Sequence, residues 1–376
     1  MTKLEKTVEE LFQHADIKLG GTRPQDVTIN NPAVYGRVLR DRELGLGESY
    51  MDGWWDSPQP DAFITRILSA DLASQVKLSP AIIASGAKSV VSASFSNRQS
   101  VKKAKKNAEH HYNIGNDLYE LMLDKRMIYS CGYWKGAKTL DQAQENKLDL
   151  ICRKLQLKKG MTLLDIGCGW GGFAEFAATK YGVKVTGISP AIEQVKKAKE
   201  RTKGLNVTIL QKDYRHMTGS FDRIVSIGML EHVGVKNYQT FFESCNALLK
   251  PGGMMLHHTI GSNQTYNPSE AKWIDKYIFP GGVIPTIPEV VTPAQKYFVV
   301  EDIQNFGPDY DKTLMAWHKN FVKSYPKIKD SYDERFYRMW EYYLLMFAAG
   351  FRTRNLQLWQ FVMTRHEVTP RYDAPR

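Results

Sequence analysis

The chain has 376 residues, with 51 Lys and Arg against 40 Asp and Glu, giving a formal net charge of +11 and a pI near 9.2. That length exceeds what one hydrophobic core usually serves, so two units are expected; the charge excess points to an anionic partner, nucleic acid or membrane surface, or else to a solvated basic face. Cys131, Cys152, Cys168 and Cys245 form no C-x-x-C pair and no regular spacing, which indicates neither a zinc site nor a disulfide framework, and no metal is expected.

The N-terminal MTKLEKTVEELFQ is charged throughout and lacks the apolar run of a signal peptide. No later stretch approaches the ~20 apolar residues of a membrane span, so a cytoplasmic protein is expected. Leu4, Val8, Leu11 and Phe12, and later Phe63, Ile64, Ile67 and Leu68, recur at helical spacing. Between them GLGESYMDGWWD, residues 45–56, reads as backbone turning tightly beside large side chains. The run SVVSASFS then leads into Arg98, Lys102, Lys103, Lys105 and Lys106, a linker or exposed segment. These features divide the chain into a mainly helical N-terminal unit, 1–100, a basic linker, 101–107, and a larger unit, 108–376. MIYSCGYW, residues 127–134, sets one cysteine among three aromatic rings.

From residue 160 short apolar runs alternate with helical patterns: MTLLDIG, VKVTGI, NVTIL, FDRIVSIG and GMMLHHTI, starting at Met161, Val183, Asn206, Phe221 and Gly253. That alternation reads as a parallel sheet with helices on both faces. YFVVEDI and NLQLWQFVMT, at 297–303 and 355–364, add two strands, giving about seven in a doubly wound arrangement. A proline-rich insertion, 261–293, lies between the fifth and sixth strands and is long enough to be a lid.

In LLDIGCGWGGFAEFA, 163–177, a strand runs through Asp165 into Gly167, Cys168, Gly169, Gly171 and Gly172 and then a helical pattern. Glycine there lets backbone approach a ligand closely. A nicotinamide site expects an acid ~20 residues on, at the end of the second strand; here that strand ends Thr186-Gly187-Ile188-Ser189, without a carboxylate. The pattern is similar to motif I of S-adenosylmethionine-dependent methyltransferases. In QKDYRHM, Asp213 would accept from an adenine amino group and Tyr214 lie against its ring, or Asp213 simply caps a helix.

Taken in order, GLGESYMDGWW, EHHYNIGNDLY, YSCGYW, LDIGCGWGG, QKDYR, DRIVSIGMLEHVG, HTIGS, KYIFPGG and NFGPDYDKTLMAW resemble the cyclopropane-fatty-acyl-phospholipid synthases, relatives of the mycolic acid cyclopropane synthases. The resemblance spans nearly the whole chain. It implies a Rossmann-like class I α/β methyltransferase fold and transfer of a methylene from S-adenosylmethionine to a cis double bond in a membrane phospholipid, with bound bicarbonate as base. Carried over residue by residue, the bicarbonate ligands are Cys131, Glu231, His258, Ile260 and Tyr310. Cofactor contacts fall on Tyr129 and Ser130, on Asp165 with Gly167, Cys168, Gly169 and Gly171, on Thr186, Ser189 and Gln194, and on Asp213 and Tyr214. Main-chain amides at Cys131 and Ile260, the His258 imidazole and the Tyr310 phenol are donors suited to an anion, and Glu231 would accept its hydroxyl proton. The alternative makes Glu231 itself the base. Tyr129, Tyr133 and Trp134 offer ring faces to a cation, and YYLLMF, 342–347, either lines an acyl tunnel or packs a core. The N-terminal unit, which the mycolic enzymes lack, favours intact unsaturated phospholipid on an anionic bilayer, bound peripherally at the inner face. The family implies a homodimer. A fatty-acyl methyltransferase that stops before ring closure is the nearest rival. A nucleic-acid or protein methyltransferase is more distant, because Ile227 is followed by GMLEHVG rather than a proline-rich tetrapeptide; no nucleic-acid partner is expected.

Overall fold

The structure is a computed structural model that describes residues 3–70, 115–265, 271–366 and 371–376. The basic run, the linker 101–107 and the first part of EHHYNIGNDLY lie outside the described residues. The chain forms two compact units assembled from non-contiguous stretches: one from 1–96, 267–280 and 314–356, the other from 97–266, 281–313 and 357–376. Where the sequence draws one break near residue 100, the compact units interleave along the chain, and the 261–293 insertion is shared between them.

In the first unit the helices Ala33–Asp41, Glu43–Met51 and Pro60–Ser69 gather with Lys272–Tyr277 and Glu334–Arg352, beside a two-residue ladder, β1 (Thr28–Ile29) with β2 (Trp55–Asp56). GLGESYM is helix, where a tight turn was expected, and its glycines serve packing. A side chain at Gly47 would meet the indole of Trp273 at 2.5 Å, and one at Gly45 would meet the Arg37 carbonyl oxygen at 2.5 Å. Trp273 is fully buried, packs edge-on against Tyr342 at 4.8 Å and donates from Nε1 to Met51 Sδ. The YYLLMF rings are core of this unit: Tyr342 meets Tyr50 and Tyr343 meets Phe279 and Phe347.

The second unit is built on seven strands: β3 (Thr162–Ile166), β4 (Lys184–Ser189), β5 (Val207–Gln211), β6 (Phe221–Ile227), β7 (Leu249–Gly261), β8 (Phe298–Asn305) and β9 (Gln357–Arg365). Their order is β5-β4-β3-β6-β7-β9-β8. All seven expected strands form. The sheet is mixed rather than parallel, because β9 runs antiparallel to both neighbours, β7 and β8. Its burial is continuous from Gln357 to Thr364, as suits an interior strand covered on both faces. Leu163 packs with Leu148, Ile151 and Phe173 on one face, and Leu164 and Ile166 pack with Phe241, Phe242 and Met255 on the other. The chain reverses its direction of travel across the sheet between β3 and β6, the position at which such folds open a ligand crevice at the carboxyl ends of the strands.

Among the described residues no helix is long and apolar enough to cross a membrane, and no cluster of His, Cys, Asp or Glu is arranged for a metal.

Candidate active site

A cleft opens at that reversal point. Its walls include Tyr129 and Ser130, Asp165 to Trp170, Ile188 to Pro190, Gln194, Lys212 to Arg215 and Ile227 to Met229. Gly167 and Gly169 turn at φ +87° and +52°, and nothing lies within 4 Å of the space a side chain at Gly169 would take. Both are left-handed conformations that glycine adopts without strain. Gly171, at φ +81°, instead permits close packing, since a side chain there would meet Ala198 at 3.1 Å. Of the cofactor contacts proposed from sequence, Gly171 and Thr186 stay off the cleft wall; Thr186 sits within β4, paired to Leu164 and Thr208.

Several wall residues are held in place by neighbours. Ser189 Oγ donates to Gln194 Oε1 at 2.9 Å and accepts from the Ala191 amide. Tyr129 packs edge-on against Tyr119 at 5.1 Å; Tyr119 also meets Trp170, whose indole donates to Asn116. Asp213 caps the turn Tyr214–His216 and is bound by the Arg215 guanidinium at 2.7 and 2.8 Å. The cap read from sequence therefore forms, and the carboxylate already has a cationic partner. Tyr214 lies edge-on to Phe241 at 5.3 Å.

Two further wall groups are charged and buried. Asp165 Oδ2 has no hydrogen-bond partner, and burial pushes this carboxyl up to about 7. Lys147, from the helix Leu140–Lys154, is fully buried and donates to Ser130 Oγ at 2.8 Å; burial brings its ammonium down to about 8. Sequence reasoning missed Lys147. The signal was a lysine on the stripe Leu140, Gln144, Lys147, Ile151 and Lys154, all of them buried, where helical spacing calls for apolar residues. A glycine-lined backbone cradle with a partnerless buried carboxylate oxygen suits the amino-acid and ribose portions of S-adenosylmethionine, which the cleft residues would hold.

Beside the cleft, β6 ends while β7 runs on to Gly261. Ile227 is level with His258, whose carbonyl accepts from the Gly228 amide at 2.9 Å. The turn Leu230–His232 follows β6 and carries Glu231, whose Oε1 accepts from the Ile260 amide at 2.7 Å. That amide, expected to serve an anion, is thus given to Glu231. Glu231 Oε2 is buried without a partner, and burial raises the carboxyl to about 7. His258 is held neutral by burial. Gln360 of β9 lies 3.3 Å from its Nδ1 through an amide nitrogen. An amide nitrogen only donates, so Nδ1 accepts and the proton sits on Nε2, which is buried and partnerless. Within the insertion, the Val283 amide donates to the Glu231 carbonyl.

The segment 131–134 is fastened to the start of the helix Pro308–Ser324, where Tyr310 is buried. Thr313 Oγ1 accepts from the Gly132 amide at 3.0 Å and from Trp134 Nε1 at 2.9 Å, and Asp309 accepts from the Trp134 amide at 2.8 Å. Cys131 is fully buried with its thiol raised well above the usual range by desolvation, which makes it a poor thiolate nucleophile. Thr313, like Lys147, was not foreseen.

The sheet order and the glycine cradle at its reversal point define a class I S-adenosylmethionine-dependent methyltransferase. Residues 99–361 match the family model described as mycolic acid cyclopropane synthetase, and the chain belongs to that family. It is 48% identical over 362 residues to the cyclopropane-fatty-acyl-phospholipid synthase of Escherichia coli (strain K12), covering 96% of this chain and 93% of that one. To the tuberculostearic acid methyltransferase UfaA1 of Mycobacterium tuberculosis it is 30% identical over 370 residues, 91% of this chain and 84% of that one. Among solved structures it is similar to the mycolic acid cyclopropane synthase CmaA1 complexed with SAH and CTAB, with a TM-score of 0.66, 33% identity and coverage of 69% of this chain and 98% of that one.

Proposed function

We propose that the enzyme transfers a methylene from S-adenosylmethionine to the cis double bond of unsaturated acyl chains in membrane phospholipids, closing a cyclopropane ring with bicarbonate as general base. One observation carries the base assignment. His258 Nε2–H is a buried donor and Glu231 Oε2 a buried acceptor, both partnerless and both where β6 ends beside β7. Bicarbonate offers the matching set, oxygens that accept and one hydroxyl that donates.

The cofactor supplies an electrophilic methyl group. The work left to the chain is alignment of that methyl with an alkene and exclusion of water from the carbocation that results. Tyr129 and Ser130 lie on the cleft wall, Cys131 follows directly, and Tyr133 packs edge-on to Phe306, which also meets His258. The Cys131 amide, His258 and Tyr310 would donate to the anion's oxygens, and Glu231 Oε2 would accept a hydrogen bond from its hydroxyl. Ile260 contributes through its hold on Glu231. Held there, bicarbonate would supply a base for one proton of the transferred methyl group, and the electron pair of that C–H bond would close the second ring bond. The second reading, Glu231 as base, is favoured by its rise to about 7, near the optimum for proton transfer at neutral pH.

The match to the phospholipid-named relative over 96% of this chain, a span that reaches into the N-terminal unit, supports phospholipid as substrate. The charge of +11 supports peripheral, salt-sensitive binding to an anionic bilayer, and the family resemblance implies a homodimer at its cytoplasmic face. Purified protein incubated with S-adenosylmethionine and unsaturated or saturated liposomes, followed by mass spectrometry of the fatty acids, tests the reading. Unsaturated lipid gaining one methylene is expected. No gain refutes the function, a methyl branch selects the rival without ring closure, and a full rate after bicarbonate is stripped transfers the base role to Glu231.

A further inference from the structure

The helix Leu140–Lys154 lies against the same face of β3 that carries Leu163, through Leu148 and Ile151. Asp165, two residues on, continues that face, and Lys147 and Asp165 both line the cleft. One helical turn grips Ser130 from both sides: Gln144 Nε2 donates to its carbonyl at 2.8 Å and Lys147 Nζ donates to its hydroxyl at 2.8 Å. Gln144 and Lys147 are three residues apart, the spacing that places side chains on one helix face.

Lys147 and the other fully buried lysine of this helix are provided for differently. Lys154 has a carboxylate partner, Asp302, at 3.2 Å. Lys147 forms no ion pair among the described residues, and its described hydrogen bond to Ser130 uses one of three ammonium donors. Asp165 is 1% exposed with Oδ2 partnerless. Buried charges are costly unless something pairs with them. Here an open cleft wall offers one buried site of each sign, while the glycine cradle begins at the next turn of chain.

We propose that Lys147 takes the α-carboxylate of S-adenosylmethionine beside Ser130 Oγ, adding a cationic partner to the amino-acid end that the cleft, with Asp165, already suits. The proposal rests on the cleft being the cofactor site and adds to it the group that fixes the ligand's polarity. A carboxylate at Lys147 turns the rest of the molecule toward the cradle, so the lysine acts on orientation as well as affinity. The mutual attraction of the two charges works in the same direction, each favouring the ionised form of the other.

Calorimetric titration of the full chain with three ligands tests this. They are S-adenosylhomocysteine, its decarboxylated aminopropyl analogue, and 5′-methylthioadenosine, which lacks the whole amino-acid end. Lys147→Met should weaken S-adenosylhomocysteine roughly tenfold or more and leave the decarboxylated analogue and methylthioadenosine within about threefold of wild type. Unchanged methylthioadenosine binding also shows that the cleft is intact. Equal weakening of all three ligands, or unchanged binding of S-adenosylhomocysteine, overturns the proposal. Should Lys147→Met fail to fold, Lys147→Gln and the wild-type preference for the carboxylated over the decarboxylated ligand carry the same test. Wild-type protein that binds neither S-adenosylhomocysteine nor methylthioadenosine would instead remove the cleft as cofactor site.

Discussion

Replacing Glu231 by Gln should make the protein more stable at alkaline pH while removing most turnover. Burial raises the Glu231 carboxyl from 4.5 to about 7, so the folded state holds a proton that the unfolded chain has released. Stability therefore falls as pH rises from about 4.5 to about 7, and the full penalty persists above that. At 1.36 kcal/mol per unit the penalty is about 3 kcal/mol, or on the order of 5 °C in Tm. Gln keeps an acceptor for the Ile260 amide, so the 2.7 Å bond survives and the ionisation alone is removed. Asp165, His232, His257 and His258 also titrate differently on folding, but they do so in both proteins and cancel in the difference. The assay is Tm by differential scanning calorimetry from pH 4.5 to pH 8.5 for both proteins. The variant's advantage should grow across that window and level off, with S-adenosylhomocysteine affinity nearly unchanged. Parallel Tm profiles would falsify the argument from burial, and a large loss of cofactor affinity would show that Glu231 belongs to the cleft itself.

Gly47→Ala, which sets a methyl group 2.5 Å from the Trp273 indole, should cost about 1–3 kcal/mol through overpacking, measured by urea unfolding; an unchanged midpoint would mean the indole yields freely. Thr313→Val strips the acceptor from the Gly132 amide and Trp134 Nε1 together, an expected loss of about 3 kcal/mol with activity falling more steeply than cofactor affinity. Cys131→Ser should retain substantial activity, since its thiol is buried and far from ionising; complete loss would revive a nucleophilic role. Gly167→Ala forces a side chain into φ +87° with Met229 at 3.1 Å and should cost about 1–2 kcal/mol, seen as weaker S-adenosylhomocysteine binding and a lower Tm.

The strands and the glycine cradle were legible because each signal is local: an apolar run needs only its own residues, and a glycine at positive φ announces a turn or a close approach. What escaped was set by partners distant in sequence. The place of β9 between β7 and β8 follows from burial on both faces, and an apolar run carries no direction. Lys147 went unread because its burial follows from the β3 face that its helix meets. Ile260 was read as an anion donor because its amide is at the right strand end, yet Glu231, 29 residues earlier, takes that amide. Gly45 and Gly47 suggested a turn by composition, whereas their helix is glycine-bearing because Arg37 and Trp273 approach it.

The antiparallel insertion of β9 has a topological consequence. Strands β3 to β7 come from one nearly continuous stretch, but β9 reaches its slot beside β7 only after the chain has passed through residues 314–356, which belong to the other unit. That unit is therefore a tether between β8 and β9 as well as a compact body. While it is folded, its internal contacts restrict the chain between β8 and β9; when it melts, the same closure spans a free chain and costs more entropy. Gln360, the residue that sets the His258 proton on Nε2, rides on β9. Damage to the helical unit should thus be felt as loss of imidazole registration at His258.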